Sequence, residues 1–157
     1  MIFATMGTQL PFDRFLKMLD QVAPQLGGEE IVAQVIADSY RPVNFAPRGF
    51  IAPAEFASLV EQARVVVAHA GMGTIITALD ARKPIVVVPR QASLGEHRNE
   101  HQLATANRLG ALGYVYVAHD ADELAMLLTS GTLAPLRPIS SHASDSLVGA
   151  VLDSCVK

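Results

Sequence analysis

Residues 64–89, RVVVAHAGMGTIITALDARKPIVVVP, carry the clearest indication of how this chain folds. It begins with a run of β-branched residues that is too short for a helix, and it ends with a second such run, PIVVVP at 84–89. Both runs are continuously apolar, which is typical of strands buried on both faces of a parallel sheet. The segment between them, 73–83, is predicted to be a helix. The stretch therefore predicts two parallel strands joined by a crossover helix.

The same alternation of strands and helices continues toward both ends of the chain. Further strands are predicted at 2–6, 30–37, 43–51 and 114–118. Further helices are predicted at 11–26, 53–63, 96–113, 120–130 and 140–156. We expect an α/β fold with a Rossmann-like, doubly wound parallel sheet of about six strands. A single domain is expected over residues 1–157, because no repeat or internal linker interrupts the pattern.

Composition narrows the class of protein further. The 157 residues are half apolar, with a net charge of −3 and one cysteine. Without a basic run, a nucleic-acid surface is not expected. A single cysteine cannot form an internal disulfide, which fits a reducing compartment. The sequence shows no signal peptide and no apolar run near the roughly 20 residues that span a bilayer, so we expect a cytoplasmic domain.

The stretch VVVAHAGMGT, residues 65–74, holds the most informative polar groups. A strand, a glycine loop and a helix in this order offer backbone N–H groups and the positive end of a helix dipole to an anion. Gly71 and Gly73 let the backbone approach a diphosphate, to which His69 can donate and Thr74 can bind. The stretch lacks the lysine of a Walker loop and the third glycine of a dinucleotide loop. A tight turn that binds nothing is the alternative interpretation.

Two other pairs follow predicted strands at the edge of the sheet where ligands bind. Gly7 and Thr8, after the first strand, are a second possible phosphate contact, although glycine ends many strands. Phe50 and Ile51 offer a backbone edge and an apolar wall to a base, and an ordinary place in the core is their alternative.

The stretch GEHRNEH, residues 95–101, contains the pattern H-x-x-E-H of inverted zinc proteases. A metal would need His97 and His101 on one face of a helix, together with a third ligand from elsewhere. The stretch lies instead at the predicted ligand edge of the sheet. Three hypotheses remain: polar groups that bind a hydroxyl-rich ligand, a solvated helix start without a role, and, remotely, a zinc hydrolase.

Three stretches together resemble a known family. They are MIFATMGTQLPFDRF at 1–15, HAGMGTIITALDARKPIVVVPR at 69–90 and EHRNEHQLATANRLG at 96–110. They resemble the donor-binding half of GT-B glycosyltransferases of family 28. The likeness is greatest to the small subunits of split enzymes, namely the bacterial exopolysaccharide glycosyltransferases and the eukaryotic pair that extends dolichol-diphosphate-linked N-acetylglucosamine.

The resemblance implies a UDP-sugar site with three parts. The implied diphosphate contacts are Gly7, Thr8, His69, Gly71, Met72, Gly73 and Thr74. The implied uracil and ribose contacts are Phe50, Ile51 and Thr77. The implied contacts of the donor sugar are Glu96, His97, Glu100, His101 and Gln102. At the ribose the sequence departs from the family, which often has a glutamate where this chain has Thr77.

The resemblance also implies an activity and a partner. The expected reaction is inverting transfer of glucuronate, glucose or N-acetylglucosamine from UDP to a polyprenyl-diphosphate-linked acceptor. Such transfer needs a general base and donors that stabilise the leaving diphosphate. The base is expected on a membrane-anchored partner subunit that recruits this chain to the cytoplasmic face of the membrane, with the terminal helix (140–157) as a possible docking element. Neither a metal nor a cofactor is expected, and a non-catalytic nucleotide-binding or regulatory module is the alternative.

Overall fold

The computed structural model describes residues 1–8, 10–36, 40–131, 133–134 and 136–137. The strands are β1 (Ile2–Thr5), β2 (Ile31–Gln34), β3 (Val65–His69), β4 (Ile85–Val88) and β5 (Tyr116–Val117). The helices are α1 (Asp13–Val22), α2 (Pro53–Gln62), α3 (Met72–Asp80), α4 (His101–Ala111) and α5 (Ala121–Thr129). Strands and helices alternate, as the sequence predicts.

The strands form one parallel sheet in the order β2-β1-β3-β4-β5. The chain moves outward from β1 to β2 and then crosses back to β3, so the direction of winding reverses between β1 and β3. In open parallel sheets this reversal leaves a crevice beyond the carboxyl ends of the two strands, because their outgoing loops diverge there. The topology therefore fixes the location of the site.

Helices cover both faces of the sheet. On one face, α1 and α5 pack side chains such as Phe15, Leu19 and Leu124 against the strands. On the other face, α2, α3 and α4 contribute residues such as Ile75 and Leu109. Since alternate strand residues enter the two clusters, the central strands are buried on both sides, and they are apolar except for the last residues of β1 and β3, Thr5 and His69. The predicted doubly wound class is confirmed.

The predicted strand at 43–51 does not form. In its place the described chain has irregular backbone with an isolated bridge between Gln34 and Arg48. The cause is the buried carboxylate of Asp20 on α1, which accepts hydrogen bonds from the backbone N–H groups of Val43 (3.1 Å) and Asn44 (2.9 Å). These N–H groups are thus taken by a side chain instead of a neighbouring strand.

Two further boundaries differ from the prediction. The helix predicted from residue 96 begins only at His101, after a short 3-10 turn at Ala92–Leu94 and a run of bends. The strand predicted at 114–118 pairs only at Tyr116 and Val117. The predicted terminal helix at 140–157 lies outside the described residues. Within the described ranges, no helix has the length and hydropathy needed to cross a membrane.

Asp20→Asn is expected to lower the free energy of unfolding by about 2–3 kcal/mol, because the amide places donors against the donors of Tyr40, Val43 and Asn44. Burial would raise the pKa of Asp20, but these hydrogen bonds outweigh it and hold the pKa below 3.8. The unfolded chain then binds the proton first, so this stabilisation is present above pH 3.8 and lost as the pH falls through the folded-state pKa.

Urea denaturation at pH 7 and pH 3 measures both effects of Asp20. Tyr40→Phe is the matched control, since it removes a single hydrogen bond to the same carboxylate and should cost clearly less than Asp20→Asn. Equal losses from the two variants would contradict the role of Asp20 as the anchor of the 40–44 segment.

Candidate active site

A cleft of about 740 Å³ opens where the winding reverses, beyond the ends of β1 and β3. Eleven of the residues predicted for the site line it: Gly7, Thr8, Phe50, Ile51, His69, Gly71, Gly73, Thr74, Thr77, His97 and Gln102. Four do not line it: Met72, Glu96, Glu100 and His101. The fold thus gathers residues from four separate loops in one cavity, whose volume suits a nucleotide-sized ligand.

The imidazole of His69 lies in a slot between two glycines. A Cβ atom on Gly7 would stand 2.9 Å from Cε1 of His69, and a Cβ atom on Gly71 would collide with its Nε2. Gly7 also has a φ of +83°, a conformation that favours glycine for a second reason. Both glycines are therefore needed to admit the ring, and the ring's Nε2 edge lies between the two loops that end β1 and β3.

His69 is neutral at physiological pH. Burial and the positive charge of Arg90 lower the pKa of His69 from 6.5 to about 4, and the nearby backbone of Thr5 opposes this only in part. The Thr5 carbonyl does not reach hydrogen-bonding geometry, since Nδ1 of His69 is buried without a partner in the portion of the chain described. A ring with one proton and one unpaired nitrogen can donate to an anion but is a poor base at neutral pH.

The N-terminus of α3 opens into the same cleft. Among the described residues, no side chain forms a capping hydrogen bond to it, and its N-cap residue is Gly71. Gly73, in the first turn, has open space where a Cβ would be, with no atom within 4 Å. The hydroxyl of Thr77 donates to the Gly73 carbonyl (2.9 Å). Thr77 stands at the position where the resembled family often has a ribose-binding glutamate. First-turn N–H groups and the helix dipole make this end suited to a phosphate.

Arg90 is a buried cation at the floor of the cleft. It is 3% exposed. Its guanidinium donates to the carbonyls of Met6 (2.8 Å), Leu10 (2.6 Å) and Pro11, and it lies 4.4 Å from the ring of Phe12. Arg90 therefore holds the loop after β1 in place. Its position directly after the apolar run PIVVVP was the available signal.

Glu96, which was predicted to contact the donor sugar, lies outside the lining of the cleft and makes contacts within the chain. Its carboxylate forms a bidentate ion pair with Arg14 (2.7 and 2.9 Å) and accepts from the Gln91 N–H (3.0 Å). Glu100, likewise outside the cleft, accepts from the Ser93 N–H at 3.1 Å. Both carboxylates therefore stabilise the conformation of the loop between β4 and α4. A sequence motif alone does not show these contacts.

The histidine pair does not have the geometry of a zinc motif. His101 begins α4, whereas His97 lies before the helix with its Nδ1 near Asn99 (3.0 Å to Oδ1). The two side chains therefore do not share a helical face, as the metal hypothesis requires. No group of three potential metal ligands occurs in the described part of the chain. Within the cleft, Gln102 accepts from the Arg90 N–H (3.3 Å), which leaves its amide NH₂ as the donor group.

The wall predicted for a base is formed by Phe50 and Ile51. Phe50 is 71% exposed at the rim, and Ile51 is buried. The Ile51 N–H donates to the side-chain oxygen of Gln34 (2.9 Å), a second cleft residue that was not predicted. Gln34 interrupts the apolar run EIVAQVIA near its carboxyl end, and a polar residue there is the signal that could have identified it.

A cleft at the reversal point of a doubly wound parallel sheet is the usual ligand site of an α/β domain of this class. The model of the glycosyltransferase family 28 C-terminal domain matches residues 1–149, and the chain belongs to this family. The family resemblance inferred from the sequence is thus confirmed.

Among curated proteins, the UDP-N-acetylglucosamine transferase subunit ALG13 of Eremothecium gossypii is 41% identical over 95 residues. That match covers 57% of this chain and 45% of the relative, so it spans less than half of the relative's length.

Solved structures share the fold. The NMR solution structure of ALG13 aligns with a TM-score of 0.60 at 20% identity and covers 90% of each chain. The glycotransferase of kitacinnamycin aligns with a TM-score of 0.61 at 20% identity, over 98% of this chain and 39% of its own. The glycosyltransferase SnogD from Streptomyces nogalater aligns with a TM-score of 0.54 at 21% identity, over 98% of this chain and 37% of its own. At these identities the likeness concerns the fold alone.

Proposed function

We propose that this chain is the UDP-sugar-binding subunit of an inverting glycosyltransferase of exopolysaccharide synthesis. It binds the donor and stabilises the leaving diphosphate, while a membrane-anchored partner binds a polyprenyl-diphosphate-linked acceptor and supplies the general base. The transferred hexose is glucuronate, glucose or N-acetylglucosamine. The family match over 1–149 supports the donor-binding role, and the relative named as a transferase subunit supports a partner.

The observation that carries the proposal is the uncapped N-terminus of α3 beside His69. Gly73, in the first turn, weakens the helix, and a Cβ atom added there would meet no atom of the described residues within 4 Å, so packing does not require a glycine at this position. A diphosphate seated there receives the first-turn N–H groups, the dipole of the helix and a hydrogen bond from His69. These donors act where negative charge develops as the sugar leaves, which is the requirement for stabilising the leaving group.

The chemistry of the cleft supports a division of labour with a partner. Deprotonating an acceptor hydroxyl needs a base whose pKa lies near the working pH. His69, whose pKa is lowered to about 4, does not meet this requirement. A base brought by the partner does. The partner also recruits this chain to the cytoplasmic face of the membrane, where a polyprenyl-linked acceptor resides.

The test combines UDP binding with transfer. Calorimetry should show UDP binding to the chain alone, and His69→Ala should weaken it at least tenfold, the typical loss of one buried hydrogen bond to a charged group. Transfer from UDP-glucuronate, UDP-glucose and UDP-N-acetylglucosamine is then assayed with and without the co-purified membrane subunit. Thr129→Ala serves as the control, because its hydroxyl bonds within α5 (2.7 Å to the Ala125 carbonyl).

Each outcome decides between hypotheses. Transfer only in the presence of the partner supports a donor-binding subunit. Transfer by the chain alone would refute the division of labour. UDP binding without transfer under any condition favours the regulatory module. A chain that binds no UDP, or a His69→Ala variant that binds it normally, would remove the site assignment itself.

A further inference from the structure

Residues 91–96, in the loop between β4 and α4, form a turn that is closed by hydrogen bonds at its two ends. The N–H of Glu96 donates to the carbonyl of Gln91 (3.2 Å), and the Gln91 N–H donates back to the Glu96 carboxylate (3.0 Å). The backbone carbonyl of Glu96 also accepts from the guanidinium of Arg90 (3.4 Å). His97 follows directly and lines the cleft. The position of Glu96 therefore determines where the next residue enters the cleft.

The guanidinium of Arg14 fixes this turn to the rest of the domain. Arg14 lies in the first turn of α1, outside the lining of the cleft. Besides its bidentate pair with Glu96 (2.7 and 2.9 Å), it donates to the carbonyl of Pro89 (2.7 Å), just after β4, and to that of His119 (3.0 Å), just before α5. The side chains of Arg14 and Glu96 are only 23% and 12% exposed. A shielded, bidentate pair of this kind holds its geometry better than an exposed ion pair does.

We propose that Arg14 is a positioning residue for the donor sugar, which acts through Glu96 by setting the place of His97 in the cleft. This inference rests on the proposed function, since it concerns the sugar end of the same site. The diphosphate end is formed by Gly7, His69 and the start of α3. Within the described ranges, the hydrogen bonds of Arg14 go to other parts of the chain. Loss of Arg14 therefore displaces the sugar contacts and leaves the diphosphate contacts in place.

The test compares the Kd of UDP with the Kd values of UDP-glucose, UDP-N-acetylglucosamine and UDP-glucuronate, measured by calorimetry on the full chain. Arg14→Met keeps an apolar stem of similar length but removes the guanidinium. The UDP-sugar that the wild-type protein binds most tightly should bind this variant about tenfold more weakly, which corresponds to the loss of about one hydrogen bond to the sugar. The Kd of UDP should change by less than about twofold.

Arg64→Met is the matched control, because Arg64 forms a similar pair at the opposite edge of the sheet. It precedes β3, makes a bidentate ion pair with Glu29 (2.9 and 2.6 Å) and donates to the carbonyl of Leu128 (3.2 Å). Its replacement should lower the urea midpoint of unfolding but leave the ratio of the UDP-sugar Kd to the UDP Kd unchanged. The same change of that ratio in both variants would show a general loosening of the fold and would overturn the role of Arg14.

Glu96→Gln tests the same ion pair from its other member, and it decides the question if Arg14→Met does not fold. The amide has the shape of the carboxylate but sets an NH₂ group against the donors of Arg14 or Gln91. It should weaken the same UDP-sugar by about the same factor as Arg14→Met, and the double variant should bind no more weakly than either single variant. Losses that multiply in the double variant would show that Glu96 contacts the sugar by itself, against the proposal.

The outcomes separate this inference from the proposed function. If the wild-type protein binds none of the three UDP-sugars, the proposed function fails. If it binds them but Arg14→Met and Glu96→Gln leave the ratio of UDP-sugar to UDP affinity unchanged, the positioning role is refuted while the donor site stands. A change of that ratio in both variants, without a further change in the double variant and without any in Arg64→Met, supports the inference.

Discussion

Gly71→Ala is expected to abolish UDP binding, with a loss of at least 100-fold, and to lower the free energy of unfolding by about 2–3 kcal/mol. The φ of Gly71 is −89°, which alanine adopts freely, so backbone strain plays no part. The whole effect comes from the new methyl group, which would collide with Nε2 of His69. The His69 ring has little room to move away, because Gly7 lies against its other side and the Nδ1 atom of the ring is buried.

Gly73→Ala is the matched control for the glycine at 71. It adds the same methyl group two residues later, where no atom lies within 4 Å. Alanine favours helix over glycine by up to about 1 kcal/mol, so this variant should be as stable as the wild-type protein or more so. UDP binding should nevertheless fall about tenfold or more, because the methyl group occupies space that we assign to the diphosphate.

Thermal unfolding and UDP calorimetry on both variants check these expectations. We expect Gly71→Ala to be less stable than the wild-type protein and Gly73→Ala to be at least as stable, while both variants bind UDP more weakly. That result would show that packing requires a glycine at 71 and that ligand binding requires one at 73. Normal UDP binding by Gly73→Ala would place the diphosphate elsewhere. Unchanged stability of Gly71→Ala would show that the slot around His69 can widen.

The parts of the fold that could be predicted are those set by local pattern. β4 and the first four residues of β3 are apolar because both faces of the sheet are covered, and that property is visible in a short window of the sequence. The segment 43–51 looked equally apolar, but a carboxylate on α1 takes its backbone N–H groups. A contact between residues more than 20 positions apart leaves no mark in the local pattern.

The same distinction holds for the site. The backbone elements of the cleft, such as the glycines beside His69, follow from a strand ending in a glycine loop. Glu96, in contrast, looked like a ligand because its motif is polar, whereas its position is decided by Arg14, 82 residues earlier. Gln34 was missed for the converse reason, since one of its partners is a backbone N–H group that no side-chain motif encodes. The contacts by which Arg90 holds the loop after β1 are likewise made to backbone carbonyls.

Arg90→Met is expected to lower the free energy of unfolding by about 3–5 kcal/mol, the largest stability loss among these variants. The buried guanidinium donates to three carbonyls of the loop after β1, and removing it leaves those acceptors without their donor in a place that water does not reach freely. UDP binding should be lost with the loop, because Gly7 and Thr8 belong to it.

Arg90→Lys and Arg98→Met separate charge from geometry. Lysine restores a cation near the diphosphate but cannot reach several carbonyls at once, so it should recover part of the UDP affinity and little of the stability. Arg98 is exposed, and the same change to methionine there should alter stability by less than about 0.5 kcal/mol. Urea denaturation compares the three variants, and a loss below about 1 kcal/mol for Arg90→Met would contradict the loop-holding role.

The pKa of His69 gives an independent measure of the charge that Arg90 places in the cleft. The charge of Arg90 helps to lower the pKa of His69 to about 4, so Arg90→Met should raise it, whereas Arg90→Lys should leave it low. Because the folded-state pKa is depressed, His69 opposes folding increasingly as the pH falls from 6.5 toward 4. Loss of the Arg90 charge should therefore make the protein less sensitive to acid in that window, even though it is less stable at pH 7. The pKa of His69 is measured by NMR titration in the Arg90→Met and Arg90→Lys variants. Equal pKa values in the two variants would show that the charge of Arg90 does not affect His69, so that Arg90 acts only through its hydrogen bonds to the loop.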